Sequence, residues 1–391
     1  METRRRQARR GAFLCNNQAA GDRIFPMPKS STKSRIPFLL ATFLILPSFV
    51  FAATPTISNV TGTVATGNTL TIAGSNLSSE NTSGWQWSSA FGGFETGTAG
   101  ARMVSSDWTN DWATYEASYP RQFAYYDNNE RILGNQSMRI DLYSSDETWT
   151  GTAWRIDGSG GVHTWSYAST PMYFRWYFKY PLNFPVPTEV LKQAMVGHTY
   201  VQPAYPSTSG ISYWIFNDGS GGYHPVPSTL YGGMMPWGKW YCVELMKTGT
   251  TSQIWIDGIS IGTDSWSNSD SGTTTSMTIG MPNAAGFPAN FGTTSIWFDG
   301  VIASTSRIYP AALVEISNNF THGSGTVVKQ HINYISDSSI SFEANLSGLG
   351  NGPYYLWVTN NGQTTSAAYN LSGGGGRDTT APGAPTGMSV R

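Results

Sequence analysis

The pattern of apolar residues after residue 52 is the feature that most constrains the fold of this chain. These residues occur in short β-branched and aromatic runs, which Gly, Asn, Ser and Pro interrupt. Amphipathic helices need apolar residues at a period of about 3.6, and hardly any window beyond Thr188–Gln193 has that spacing. The composition agrees, with 43 Gly, 15 Trp, 20 Tyr and 18 Phe but only 12% charged residues. We therefore predict an all-β fold of the sandwich type.

The N-terminal region contains a predicted signal peptide. An uncharged apolar run, Ile36–Phe51, follows a basic segment and ends at Ala52. A basic region, an apolar stretch and a small-residue cleavage site are the three parts of a secretory signal. We expect residues 27–52 to be this signal, with cleavage after Ala52. Residues 1–26 are then an upstream extension before the true start at Met27.

The apolar run predicts export and no membrane span in the mature chain. It holds 16 residues and is interrupted by Pro47, whereas a spanning helix needs about 20 apolar residues. No later stretch approaches that length. An uncleaved anchor is the competing interpretation. We expect an extracellular or cell-surface location, with the periplasm as the alternative.

The charge balance argues against nucleic-acid binding, and the cysteine content argues against an intramolecular disulfide. Residues 1–52 hold 9 of the 23 Lys and Arg but only 2 of the 24 Asp and Glu, which leaves 14 cationic and 22 anionic side chains and a net charge of −8. A negative chain without a basic stripe is a poor match for nucleic acid. Cys242 is the single cysteine after residue 52. We therefore expect a monomer without an intramolecular disulfide.

Two distant segments resemble the beginning and the end of one domain. Pro55-Thr-Ile-Ser-Asn-Val60 and Gly67-Asn-Thr-Leu-Thr-Ile72 resemble the opening strands of an immunoglobulin-like IPT/TIG domain. Ile335–Phe342 and Gly352–Gly362 resemble its closing strands. Residues 53–82 and 311–371 together have roughly the length of one such sandwich. We predict a split immunoglobulin-like domain whose core is shared by Ile57, Val60, Leu70, Ile72, Ile340, Phe342, Leu356 and Val358.

The intervening residues 83–310 are too long for a loop and need a core of their own. Their segments Gly238–Glu244, Gln253–Gly258 and Ile296–Ile302 resemble the concanavalin A-like jelly roll of laminin G domains and polysaccharide lyases. The Asp257-Gly258 pair is also typical of a hairpin turn with positive φ. The predicted fold is therefore a jelly-roll β-sandwich inserted into a smaller immunoglobulin-like β-sandwich. Residues 372–391 are predicted to be a Gly/Pro-rich linker that resembles the start of a fibronectin type III domain.

The segment Tyr173–Tyr180 carries the predicted ligand-binding residues. Alternation places Phe174, Trp176, Phe178 and Tyr180 on one face, which we expect to be the core face. The other face combines aromatic rings, which stack on sugars, with cations, which pair with carboxylate or sulfate groups. Ordinary solvated side chains on a half-exposed sheet are the alternative interpretation. The predicted ligand-binding residues in an open groove on the concave face are Tyr173, Arg175, Tyr177 and Lys179, together with Arg155 and His163 elsewhere.

No catalytic site is predicted. Glycanases of this fold carry three acids at alternate strand positions, because two carboxylates must lie about 5 Å apart, and no Glu-x-Asp-x-Glu pattern occurs. The Arg-x-Glu-x-Arg and Gln-Ile-His patterns of jelly-roll lyases are also absent. We expect a non-catalytic carbohydrate-binding module of a modular bacterial surface or secreted protein, whose partner is a polysaccharide, plausibly an acidic one. A polysaccharide lyase or glycoside hydrolase, and a structural or adhesive surface protein, are the alternatives.

The resemblance to the concanavalin A-like jelly roll implies one metal site. Jelly-roll carbohydrate-binding modules commonly hold a structural calcium ion between an acid near the first strand and an Asp in the last strand. Glu95 and Asp299 occupy those places. Simple turn or edge residues are the alternative interpretation of this pair. The resemblance therefore implies a structural calcium ion bound by Glu95 and Asp299.

Overall fold

The structure is a computed structural model in which the residues after 52 form a double β-sandwich. It describes residues 53–78, 85–88, 94–95, 97–103, 112–114, 124–143, 153–157, 165–166, 171–186, 193–196, 199–204, 210–211, 213–217, 223–227, 234–248, 251–265, 273–274, 276–280, 292–361 and 363–372. The predicted signal peptide, the upstream extension, the 373–391 part of the linker and His163 lie outside the described residues. Every regular element of the described residues is a β-strand, which confirms the predicted all-β class. No helix long and apolar enough to cross a membrane occurs among them.

The smaller unit, here called the small sandwich, consists of two four-stranded antiparallel sheets. The first sheet has the order β1 (Thr56–Thr61), β2 (Thr69–Ser75), β25 (Ser339–Glu343) and β24 (His331–Ile335). The second has the order β23 (Val327–Lys329), β22 (Ala312–Ser317), β26 (Tyr355–Asn360) and β27 (Tyr369–Asn370).

Strands from the two ends of the described chain meet in the small sandwich. In the pairing of β2 with β25, Leu70 lies opposite Phe342 and Ile72 lies opposite Ile340. These four side chains are fully buried. One buried cluster holds Ile57, Leu70, Ile72, Ile340, Phe342, Leu356 and Val358, and Val60 packs against it. Strands 1 and 2 therefore bury their apolar face against strands more than 250 residues later, while the assignment to the IPT/TIG family stays a prediction.

The larger unit, here called the large sandwich, is built from an eight-stranded and a seven-stranded antiparallel sheet. The eight-stranded sheet has the order β18 (Ile259–Ser265), β17 (Thr251–Ile256), β16 (Trp240–Lys247), β9 (Met172–Lys179), β21 (Thr293–Ser304), β6 (Ser137–Tyr143) and β5 (Ala124–Asp127), and β3 (Trp85–Ser88) pairs with β21. The seven-stranded sheet has the order β14 (Tyr223–Pro227), β13 (Tyr213–Asn217), β11 (Thr199–Ala204), β10 (Ala194–Val196), β20 (Ser276–Gly280), β7 (Ala153–Asp157) and β4 (Trp112–Thr114). Two short pairs complete it, β12 (Gly210–Ile211) with β15 (Met235–Pro236) and β8 (Trp165–Ser166) with β19 (Thr273–Thr274).

The core of the large sandwich lies between these two sheets. Phe174, Trp176 and Phe178 of β9 are fully buried there, as their alternation predicts. Trp214 and Ile279 contribute from the seven-stranded sheet. The hairpin between β17 and β18 turns at Asp257 and Gly258, whose φ angles of 48° and 76° confirm the predicted turn.

The small sandwich packs against the outer face of the eight-stranded sheet. Tyr177, Trp240 and Cys242 belong to that outer face, and they share a buried cluster with the core of the small sandwich. Lys239 forms an ion pair with Glu343 across the same interface. One face of the eight-stranded sheet therefore contacts the seven-stranded sheet and the other contacts the small sandwich.

Candidate functional site

The structure does not place Arg175 in a groove. Its side chain is 0% exposed, and its guanidinium donates hydrogen bonds to the carbonyl oxygens of Gly300 at 3.3 Å and Tyr309 at 3.0 Å. Gly300 lies in the neighbouring strand β21, and Tyr309 lies in the segment between β21 and β22. The expectation that Arg175 binds ligand in an open groove is therefore wrong, because its side chain is buried and is bonded to Gly300 and Tyr309.

Of the other three residues of this face, Tyr177 is buried and two are half-buried. Tyr177 is 2% exposed, and its hydroxyl oxygen accepts a hydrogen bond from the backbone N–H of Ala311 at 2.8 Å. Lys179 is half-buried and forms an ion pair with Glu130. Tyr173 is half-buried at the far end of β9. The expected groove is wrong for Tyr177 for the same reason as for Arg175, and Lys179 has a carboxylate partner within the chain.

Arg155 occupies a different surface. It lies in β7 of the seven-stranded sheet, opposite Thr278 of β20 and Ala113 of β4. At the adjacent position of the same strand pair, Trp154 of β7 lies opposite Ile279 of β20. Ile279 is buried in the core. Arg155 therefore lies one register position from the pair of Trp154 with Ile279. Arg155 and the β9 residues belong to different sheets of the large sandwich.

One line of paired residues crosses all seven strands of the seven-stranded sheet. The register of six strand pairs connects its members from β4 to β14. The row consists of Ala113, Arg155, Thr278, Met195, Tyr200, Asn217 and Tyr223. The residues of this row include two tyrosines, an asparagine, a threonine and an arginine.

Glu95 and Asp299 lie close enough together for the charge of Glu95 to raise the pKa of Asp299. Asp299 is 3% exposed, and burial is the main reason that its pKa rises to about 7, against the lowering effect of three backbone N–H groups. These N–H groups belong to Ile132, Leu133 and Gly300. A bound cation would offset the cost of a buried carboxylate that lies near a second one.

One buried oxygen atom near this pair lacks a hydrogen-bond donor within the residues that the structure describes. The side-chain oxygen Oε1 of Gln136 is buried and accepts no hydrogen bond among the described residues. The backbone N–H of Gln136 donates to Glu95 at 3.4 Å, so this amide belongs to the same neighbourhood. Within the described part of the chain no group of three or more His, Cys, Asp and Glu side chains could hold a metal ion. A calcium ion here would therefore depend on amide and carbonyl oxygens beside the two carboxylates.

Sequence reasoning missed a buried ionic network on the outer face of the eight-stranded sheet. Glu244 lies opposite Arg175 in the pairing of β16 with β9 and is 2% exposed. It forms a 3.0 Å ion pair with Arg307, whose guanidinium lies between the rings of Trp255 and Tyr309 at 4.1 Å and 4.3 Å. Burial raises the pKa of Glu244 to about 7, although both arginines lower it. The available sequence signal was the spacing of Glu244 and Cys242, which are two positions apart on β16 and therefore belong to one face. The partner Arg307 lies 63 residues later in the chain, so the sequence does not reveal the ion pair.

Comparison with known proteins gives remote structural similarity only. No protein-family model matches the chain, and no curated protein sequence matches it. An endo-β-1,4-glucuronan lyase from the fungus Trichoderma reesei is 13% identical over 54% of this chain and 96% of its own, with a TM-score of 0.38. An alginate lyase in complex with alginate trisaccharide is 13% identical over 54% and 95%, with a TM-score of 0.39. A cellulose-induced protein is 14% identical over 52% and 96%, with a TM-score of 0.37. Similarity this remote assigns no role to any residue.

Proposed function

We propose that the large sandwich binds a polysaccharide on the outer face of its seven-stranded sheet. The transverse row from Ala113 to Tyr223 is the observation that carries this proposal. Seven strands at the usual separation of about 4.8 Å make the row about 29 Å long, which suits a chain of several sugar units rather than a small molecule.

The residue types of the row indicate an acidic polysaccharide. Tyrosine rings offer flat apolar surfaces for sugar rings, and amide and hydroxyl groups exchange hydrogen bonds with sugar hydroxyls. Arg155 supplies the one cation of the row, and a guanidinium binds carboxylate or sulfate groups in a bidentate manner. In this arrangement Arg155 selects for charge, while Tyr200 and Tyr223 supply contact area.

The experiment is a glycan array followed by calorimetry on the chain from residue 53 to 391. We expect Arg155→Ala to weaken binding of an acidic glycan by roughly 10- to 100-fold, because one charge-assisted hydrogen bond contributes about 1.5–3 kcal/mol. Lys179→Ala, on the other side of the large sandwich, is the matched control and leaves binding unchanged. Unaltered affinity of the Arg155 variant for every glycan that the parent binds would refute the proposal.

A lyase activity on the same face is the second candidate. Elimination requires a tyrosine acting as acid or base close to a cation that neutralises the uronate. Three strand spacings of about 4.8 Å separate Arg155 from Tyr200 along the row, so this candidate needs an acid or base from outside the row. Elimination leaves an unsaturated sugar that absorbs ultraviolet light. Incubation of the protein with uronate polymers therefore separates the two candidates, since a non-catalytic module produces no such absorbance.

We also propose that Glu95, Gln136 and Asp299 bind a structural calcium ion. The ion would neutralise the two carboxylates and supply no chemistry to a reaction. Calorimetric titration is expected to show one calcium site in the parent and none in Asp299→Asn, with Asp141→Asn as the control. Equal calcium affinity of parent and Asp299→Asn would contradict the assignment.

Export of the protein is proposed on the signal pattern alone. We propose cleavage after Ala52 and release of a monomer without disulfides. N-terminal sequencing and light scattering of secreted material test both statements. A mature protein that begins before Ala53, or one that elutes as a dimer, contradicts them.

A further inference from the structure

The connection between β5 and β6, residues 128–136, is held by carboxylates along its whole length. Three acidic side chains of the large sandwich accept hydrogen bonds from six of its backbone N–H groups. Asp127 accepts from Asn129 and Glu130, Asp299 from Ile132 and Leu133, and Glu95 from Asn135 and Gln136. A polar surface loop does not normally need three acids for its backbone, because water can satisfy those groups.

The opposite side of the same loop belongs to the small sandwich. The carbonyl oxygen of Ile132 accepts a hydrogen bond of 2.7 Å from the N–H of Ile335, and Leu133 pairs with Ile335 as a parallel bridge at the edge of β24. Ile132 is 2% exposed within the core cluster of the small sandwich, and Leu133 packs against that cluster. The guanidinium of Arg131 lies 5.5 Å from the ring centre of Tyr334.

Residues 131–133 thus contact the large sandwich on one side and the small sandwich on the other. Their N–H groups face Asp299 of the large sandwich, while the Ile132 carbonyl and two apolar side chains engage β24. Gly300, directly after Asp299, has a φ of 54°, and a Cβ atom there would lie 2.6 Å from the Leu133 side chain. Asp299 and Gly300 therefore contact the same two residues that meet the edge of the small sandwich.

We propose that residues 128–136 form a latch through which cation binding at Glu95, Gln136 and Asp299 tightens the attachment of the small sandwich to the large one. The proposal rests on the calcium site proposed above. The cation fixes the carboxylates, the carboxylates fix the N–H groups of the latch, and the latch covers the edge of β24. The state of the site then sets how rigidly the small sandwich is oriented relative to the polysaccharide-binding face.

The amide of Ile335 reports directly on the latch, because its hydrogen-bond acceptor is Ile132. Hydrogen exchange is measured on the chain from residue 53 to 391, with calcium or with a chelator, and calcium affinity is measured in parallel by calorimetry. We expect calcium to slow exchange at Ile335 at least tenfold. The amide of Ile316, in the other sheet of the small sandwich, serves as the internal control and changes less than twofold.

Two variants separate the latch from the metal site. Ile132→Ala retains the carboxylates and the carbonyl acceptor but removes the side chain that anchors the latch in the small-sandwich cluster, so we expect calcium affinity within threefold of the parent and a calcium effect at Ile335 below twofold. Glu95→Gln weakens calcium binding and removes the calcium effect, without removing an apolar side chain from any core. Calcium binding with unchanged exchange at Ile335 overturns the latch and leaves the calcium site standing. Failure of the parent to bind calcium overturns both.

Discussion

Replacement of Arg175 by methionine is the perturbation that best tests the architecture. Methionine keeps most of the side-chain length but removes the charge and every donor. In a glycan-binding groove this change would weaken binding and leave stability intact. In the structure Arg175 is fully buried and donates hydrogen bonds to Gly300 and Tyr309, so we expect the opposite result.

The expected loss follows from three contributions. The carbonyl oxygens of Gly300 and Tyr309 each lose a charged donor, and such hydrogen bonds contribute about 1.5–3 kcal/mol each. Arg175 also lowers the pKa of the buried Glu244, which is left with Arg307 as its cationic partner. Removal of one member of a buried ionic group typically costs about 3–5 kcal/mol. Since methionine recovers part of this through packing, we expect Arg175→Met to lower the free energy of unfolding by about 3–5 kcal/mol.

The assay is urea unfolding followed by tryptophan fluorescence, with glycan affinity measured on the folded protein. Lys179→Met is the matched control on the same face of β9. Its ion pair with Glu130 is partly exposed, and such pairs contribute at most about 1 kcal/mol. An Arg175 variant as stable as the Lys179 variant, or one with intact stability and weakened glycan binding, would refute the reasoning.

Three further predictions concern buried groups. Trp176→Phe is expected to cost about 1–3 kcal/mol in urea unfolding, because it leaves the Oε1 atom of Gln193 without its 2.9 Å indole donor. Because the pKa of Glu244 rises to about 7 in the folded state, the contribution of Glu244 to stability is greatest below about pH 4.5 and is lost as pH rises towards 7, by at most about 3 kcal/mol; Glu244→Gln removes this part of the slope in thermal unfolding and leaves the part that Asp299 contributes. Burial and the charge of Lys239 lower the pKa of His331 to about 4, so stability is lost as pH falls from 6.5 to 4, and a His331→Gln variant that keeps this loss would contradict the assignment.

The parts of the fold that sequence predicted are those in which local pattern and burial agree. Alternation along Tyr173–Tyr180 assigned Phe174, Trp176 and Phe178 to the core, because a strand face made only of apolar side chains is stabilised by burial. The Asp257-Gly258 turn was predictable because both residues tolerate positive φ between two strands. Neither inference needs knowledge of which strands are neighbours.

The groove prediction was wrong for Arg175 and Tyr177 for one physical reason. Alternation separates the two faces of a strand but does not reveal what covers either face. Arg175 and Tyr177 have a mixed cationic and aromatic pattern that suits a solvated binding face equally well. Their cover comes from Gly300, Tyr309 and Ala311, more than 120 residues later in the chain. The latch was similarly invisible, since residues 128–136 have no apolar period and their acceptors are distant acids.

Coverage of the eight-stranded sheet on both sides determines where a ligand can bind. Its inner face forms the core with the seven-stranded sheet, and its outer face is joined to the small sandwich through Tyr177, Trp240 and Cys242. An extended polysaccharide needs a long accessible surface, and a buried interface cannot supply one without separating the two sandwiches. The outer face of the seven-stranded sheet lies on the opposite side, and Arg155 is the predicted ligand residue that belongs to a strand of that sheet, β7. We therefore expect substitutions at Arg155 and its row to change glycan binding, and substitutions at Arg175 to change stability.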